Sequence, residues 1–377
     1  MNELPSEVKK MKYLTEFRQK EPARGVARKI HQLMEDIDRE ISLMEVCGTH
    51  TTAVFRYGIT ELLPEKLHLI SGPGCPVCVT ANDYIDKAIA YCHQDKVIIA
   101  TFGDMMKVPG SRSSLAQETS EGYQVKVVYS SLEAIKIAQK NHENKIIFLG
   151  IGFETTAPTV AASILMASDE GVSNYLVLSG HKIMPPAMQA LVKDHQIGID
   201  GFLCPGHVST ITGSKIYEFL AQEYHVPCVV AGFEPLDILE SIHRLLDQIK
   251  SGQAKVENEY RRAVTYQGNV KAQKLMEKVF EKESTSWRGI GEIPGSGLRI
   301  RKEYSSFDAE MQLPVKVAKS REHPECICGD ILRGLKSPLD CALFRRVCTP
   351  SHPVGACMVS SEGTCAAYYK YAEGGGE

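Results

Sequence analysis

Eight short apolar runs, each separated from the next by turns and mostly by helical patterns, constrain this chain more than anything else in it. "ISLMEVC" from residue 41, "LHLISG" from 67, "KVIIATFG" from 96 and "VKVVYS" from 125 form the first four. "KIIFLGIG" from 145, "NYLVLSG" from 174, "GFLCPG" from 201 and "VPCVVAGF" from 226 complete the set. Runs this short, rich in Val and Ile and ended by glycine or polar turns, read as buried strands. The intervening "NDYIDKAIAYC", "TVAASILMAS", "PAMQALVKD", "SKIYEFLAQ" and "LDILESIHRLLDQI" carry apolar residues at helical spacing, as does 23–38 through Val26, Ile30, Leu33 and Ile37. Strands alternating with helices imply parallel sheets with helices on both faces. Eight strands suit two doubly wound units better than one wide sheet.

A short echo is consistent with duplication. "TFGD" at 101–104, "GFET" at 152–155 and "GFEP" at 232–235 each end an apolar run with Gly, Phe and a carboxylate. Open parallel sheets build their sites at these strand ends. Beyond Gly252 the alternation stops. The stretch from "EYRRAV" to "IPGSG" reads as helix followed by loop, and from Pro324 the chain is dense in Cys, Gly and Pro. Such a region lacks a regular core and calls for a metal or covalent crosslink.

The charge balance of 43 Lys and Arg against 46 Asp and Glu, net −3, gives no basic footprint for nucleic acid. The first thirty residues hold no apolar run of the kind a secretory signal needs, and no stretch approaches a membrane span. A cytoplasmic protein is expected. In that reducing setting twelve cysteines point to metal or redox chemistry rather than structural disulfides.

Six of the cysteines, Cys326, Cys328, Cys341, Cys348, Cys357 and Cys365, crowd the last part of the chain. No CxxC knuckle occurs among them, as a zinc ribbon would favour, whereas an iron–sulfur cluster takes four thiolates from widely spaced loops. A closed zinc site is the alternative. In "MEVCGTHT" a strand runs into Cys47, Gly48 permits a turn, and a helix follows. A thiol facing a helix N-terminus tends toward a lowered pKa, which suits a nucleophile or metal ligand. His50 is a second ligand, a proton carrier or a packed loop residue. In "SGPGCPVCVT" Cys75 and Cys78 precede a helix, as a redox dithiol or half of a zinc site. "GIGFETTAP" lacks the third glycine of a dinucleotide loop, and its Glu154 either accepts a proton in a cleft or caps a helix. His181, Lys182 and His207 stand at comparable strand ends. Cys92, Cys204 and Cys228 read as packed thiols.

Taken together and in this order, "MEVCGTHT", "SGPGCPVCVT", "GFETTAP" and the tail "PECICGDILRG…CTP…PVGACMVSSEGTCAAYY" closely resemble the HypD family of [NiFe]-hydrogenase maturation factors, over nearly the whole chain. The resemblance implies two Rossmann-like α/β domains of related topology and a smaller irregular domain carrying a [4Fe–4S] cluster. Mapped here, these are 40–130, 131–250, and 1–39 with 251–377. It implies an assembly scaffold rather than a conventional turnover enzyme. On it a HypC-like chaperone and a HypE-like cyanide donor would meet to build the Fe(CN)2CO group. The family's cluster spacers of fourteen, six and sixteen residues select Cys326, Cys341, Cys348 and Cys365, leaving Cys328 and Cys357 over. Cys47 corresponds to the ligand of the iron under construction, and Cys75 and Cys78 to a redox dithiol near the cluster. His50 and Glu154 are candidates for proton transfer. The tail also resembles ferredoxin:thioredoxin reductase, so a free-standing thiol–disulfide oxidoreductase is the alternative function.

Overall fold

The structure, a computed structural model, describes residues 15–372. Residues 1–14 and 373–377, which belong to the terminal unit expected over 1–39 and 251–377, lie outside the described residues. Two parallel sheets organise the chain. The first holds, in spatial order, Leu67–Ser71 (β2), Ile41–Glu45 (β1), Gly201–Pro205 (β7), Cys228–Ala231 (β8) and Val256–Asn258 (β9). The second holds Val125–Val127 (β4), Val97–Thr101 (β3), Lys145–Gly152 (β5) and Tyr175–His181 (β6). Every pairing in both is parallel. The burial of β3 and β5 on both faces explains their unbroken apolar sequence.

In each sheet the first strand lies inside, the second goes to the edge, and the third and fourth continue on the other side. This shared order supports the expectation of two related units. It also sets where the sites lie, because a doubly wound sheet opens a crevice where its strand order reverses. The reversal falls between β1 and β7 in one sheet and between β3 and β5 in the other. Sheet membership, however, does not follow a cut at residue 130. β3 and β4, expected with β1 and β2, pair with β5 and β6 instead, and β7 to β9 return to the first sheet. Nor does the Gly-Phe-acid echo mark equivalent places, since β3, β5 and β8 are first, third and fourth in their sheets. Apolar runs specify that strands exist; partner choice is a long-range matter that runs of five residues do not encode.

The helix Lys20–Glu35 packs on the helix Pro235–Ser251, with Ile30 and Met34 in one core with Ile238 and Ile242. It is therefore part of the first sheet's cover, not of the cysteine-rich region. The stretch expected as helix followed by loop contains the helix Val270–Val279 and then an antiparallel hairpin, Phe280–Trp287 (β10) and Gly291–Ile300 (β11). "FEKESTSW" buries only its two aromatic ends, so its charged outer positions conceal the strand from an apolar pattern. Trp287 is buried and its Nε1 donates to Ser296 Oγ at 2.8 Å. The hairpin straps the two halves. Arg288 N donates to Val79 O at 2.8 Å on one side, and Ile183 N to Ser296 O at 2.9 Å on the other. From 324 to 372 the chain is largely irregular, and its cysteines share one apolar core with residues of both sheets. Among the described residues, no helix is long and apolar enough to cross a membrane.

Candidate metal and thiol centre

The carboxyl edge of the first sheet gathers the loops that follow β1, β2, β7 and β8. Cys47 leaves β1 with extended backbone and caps the helix Gly48–Arg56, while Gly74, from the loop after β2, lies directly on it. A β-carbon on Gly74 would stand 2.2 Å from Cys47 N and 2.4 Å from Cys47 Cα, so only glycine fits. Gly48 N donates to Gly74 O at 3.2 Å. The tail closes over this loop. Thr49 Oγ1 donates to Glu362 Oε1 at 2.7 Å, and Thr52 Oγ1 to Ser361 O at 3.0 Å. Ser360 Oγ donates to Asp104 Oδ2 at 3.2 Å, which ties the same segment to the loop after β3 in the second sheet.

Cys47 is buried, and its thiol pKa is pushed up to about 12 by burial and by the Glu362 carboxylate. The backbone N–H groups of His50 and Thr49 oppose this and lose. The lowered pKa expected from the helix N-terminus is thus overturned by desolvation, which disfavours the thiolate more than the first helical turn favours it. A cation in the site reverses that balance.

His50 is fully buried, with Nε2 3.2 Å from Ala231 O and 3.0 Å from Gly232 O and its ring 4.9 Å from that of Phe233. Because both partners are carbonyls, Nε2 carries the proton. Burial lowers its pKa to about 4, so the ring is neutral and fastens the Cys47 loop to the end of β8. His207, after β7, stacks on Phe233 at 4.1 Å and lies within the field of Glu362. Glu362 itself escapes sequence reasoning, because only the tail's return to β1 brings it to Cys47.

Glu45, at the end of β1, has its pKa pushed up to about 8, by burial foremost, against weaker help from Thr51 and Ser71. An unfolded chain ionises it near 4.5, so stability is complete below that value and falls as pH rises toward 8, by at most about 1.4 kcal/mol per pH unit. Glu45→Gln is expected to leave stability at about pH 4 unchanged and to raise it progressively above about pH 5. Denaturant unfolding of both proteins across that range checks it, and a pH-independent difference would contradict it.

Cys75 caps the turn Pro76–Val79, and Cys78 N donates to its Sγ at 3.3 Å. Both thiols are buried, at 3% and 0% exposure, and burial raises the Cys78 pKa well above the usual thiol range. Cys78 Sγ also lies 3.9 Å from Ala356 O and beside Cys357. Cys357 in turn is surrounded by the thiols of Cys78, Cys328 and Cys365, whose S–H groups favour its thiolate. It joins the N-terminal pair to the tail.

Cys326, Cys328, Cys341, Cys348 and Cys365 line a single cavity, walled otherwise by Ile331, Leu343, Phe344, Met358 and Gly355. A β-carbon on Gly355 would stand 2.8 Å from both the Cys326 and Cys328 sulfurs. Val354 N donates to Cys348 Sγ at 3.4 Å. Among the described residues, no three His, Cys, Asp or Glu side chains are set to hold a single metal ion. Thiols ringing an apolar cavity, with a backbone N–H on sulfur, are a donor set that fits an iron–sulfur cluster. The four positions selected by spacing all line it, and so does Cys328.

Glu154 is brought to neither centre. Its Oε1 accepts from Met184 N at 3.0 Å, its Oε2 has no partner, and it opens on a separate cavity lined by Ile216, Met276, Lys282 and Arg301. Burial pushes its pKa up to about 7. Lys182 donates to Ser286 O at 2.7 Å and stands over the Trp287 ring, holding the hairpin, and His181 is buried with its pKa lowered to about 3. Cys92, Cys204 and Cys228 are buried in the core, as expected.

The family model described as "HypD: Hydrogenase formation hypA family" matches residues 21–372. The chain is 48% identical to a protein of Methanocaldococcus jannaschii over 343 residues, 91% of this chain and 95% of that one. It is 45% identical to the hydrogenase maturation factor HypD of Rhizobium leguminosarum bv. viciae, with 96% of each chain covered. With the protein of the same name from Azotobacter vinelandii the identity is 46%, over 96% of this chain and 97% of that one. A match of this extent, carried by a chain whose cysteine loops converge as described, shows that the protein belongs to the HypD family.

Proposed function

We propose that this protein is a hydrogenase maturation factor on which the Fe(CN)2CO group is assembled, with Cys47 holding the iron and Cys75 and Cys78 storing electrons beside it. One observation carries the reading: the loops of Cys47 and of the Cys75–Cys78 pair touch each other, and Cys357 places the pair against the cavity of tail cysteines. Cys326, Cys341, Cys348 and Cys365 would hold a [4Fe–4S] cluster in that cavity. When bound, the cluster would supply electrons one at a time, two of which, with two protons, return the Cys75–Cys78 disulfide to the dithiol. Oxidation of Cys75 and Cys78 to a disulfide releases two electrons and two protons to the group under assembly, and Cys75 directly follows Gly74, whose backbone lies on Cys47. The Glu362 carboxylate acts on both Cys47 and His207, so a cyanide-bearing iron on Cys47 would meet that charge. A HypC-like chaperone and a HypE-like cyanide donor are the partners this reading requires.

The free-standing oxidoreductase fits less well. A protein disulfide must reach the attacking thiol, and both members of the pair are buried. Anaerobic purification with iron, sulfide and zinc analysis tests the reading; zinc without sulfide would overturn it. Within the tail, Cys348→Ser is expected to lose the cluster's visible absorbance and iron, whereas Cys328→Ser keeps both. The converse pattern would move the ligand set to Cys328.

A further inference from the structure

Behind the cysteine cavity lies a second cleft, sharing Cys326 and Cys328 with it and lined by Arg288, Arg321 and His323. Its deepest cation is unusual. Arg288 is 4% exposed, its Nε donates to Thr80 O at 2.9 Å, and its Nη2 is buried without a hydrogen-bond partner. No carboxylate pairs with it among the described residues. A buried guanidinium without a counter-charge is costly, and is kept where an anion is to be met. Arg321 is exposed at the rim, held by its backbone, with its N donating from 2.8 Å to Ser111 Oγ and its carbonyl accepting from Asn82 Nδ2 at 2.7 Å. Exposed Lys319 and Arg112 extend the basic face into a neighbouring cleft that Asp86 also lines. Glu322 is the acidic residue lining the cleft. The chain as a whole is slightly acidic, so this local excess of cations is a feature of the face and not of the composition.

The cleft also touches the right sulfur. Cys326 and Cys341 are the two half-exposed thiols of the six in the tail, and Cys326 is the one that opens here. Arg288 and Cys326 line the same cleft.

We infer that this cleft is the electron-entry port of the protein, a docking point for an acidic one-electron carrier protein. A carboxylate of the carrier meets Arg321 at the rim, with the buried Arg288 charge behind it, and one electron passes to the group held by the tail cysteines as the carrier is oxidised by one electron. The inference rests on the cluster reading above. Charge complementarity of this kind acts chiefly on encounter and falls with salt.

The probe is a small acidic [2Fe–2S] ferredoxin, used with the full-length, cluster-bearing protein under anaerobic conditions at low ionic strength. Two quantities are read: the Kd for the oxidised ferredoxin, and the rate of reduction by the reduced form, with reduced methyl viologen, a small cation, as the second reductant. Arg321→Glu is expected to weaken binding and slow reduction by ferredoxin at least about tenfold, to flatten the salt dependence, and to leave the viologen rate unchanged or faster. Arg288→Lys, which keeps the buried charge behind the rim, is expected to weaken ferredoxin binding by a smaller factor. Ferredoxin binding and reduction indifferent to Arg321→Glu, or slowed equally for both reductants, overturn the port alone. A wild-type protein that carries no iron and sulfide overturns the cluster reading and the port with it.

Discussion

Cys47→Ala is expected to abolish retention of the iron under assembly while the cluster's absorbance and the melting temperature stay nearly unchanged. The asymmetry follows from the position. Cys47 makes no full side-chain capping bond to its helix, only weak interactions with the His50 and Thr49 N–H groups, so alanine removes little beyond the sulfur. The cysteine cavity of the tail lies on the far side of Cys75 and Cys78 and shares no wall with Cys47. Iron measured on the purified complex with its partners, beside the visible spectrum, separates the two pools. Iron retained by the variant at the wild-type level would remove Cys47 from the mechanism. Because the free thiol is held protonated by burial and Glu362, iron binding should release a proton, and loading should be faster at higher pH.

Gly74→Ala is the substitution expected to do the most structural damage for the smallest chemical change. The atoms its β-carbon would strike are Cys47 N and Cα and Val46 C, all backbone, so no side chain can swing aside. The loops after β1 and β2 must separate, at a cost on the order of 3 kcal/mol, and Cys47 is then carried away from Cys75 and Cys78. Loss of iron retention together with a lower unfolding midpoint is the expected outcome. Gly25→Ala is the control: nothing lies within 4 Å of its β-carbon, and in the helix Lys20–Glu35 it should stabilise by roughly 0.5–1 kcal/mol. Equal behaviour of the two variants would show that the contact at Gly74 is not needed.

Much of this was legible in residue order. The eight apolar runs are strands, and Cys47, Cys75, Cys78, Glu154 and His207 do stand at their carboxyl ends, because side-chain burial and turn chemistry are local properties. Sheet membership was not, since β3 pairs with β5 through contacts that no stretch of five residues specifies. The hairpin from Phe280 to Ile300 was hidden by Glu and Lys on its exposed positions. Glu362 was invisible for a different reason: its role depends on a chain reversal that returns the tail to β1. The ionisation of Cys47 was misjudged because a helix N-terminus is written in sequence and burial is not.

The interleaving of the sheets bears on how the protein is made. The second sheet is contained within 97–181 and can close while the rest is still being synthesised. β1, though translated earlier, waits for β7, which begins at Gly201, and Glu362 emerges later still. A nascent chain therefore exposes Cys47 without His207 or Glu362 around it. Vectorial translation postpones the full surround of Cys47 until the segment of Glu362 has emerged.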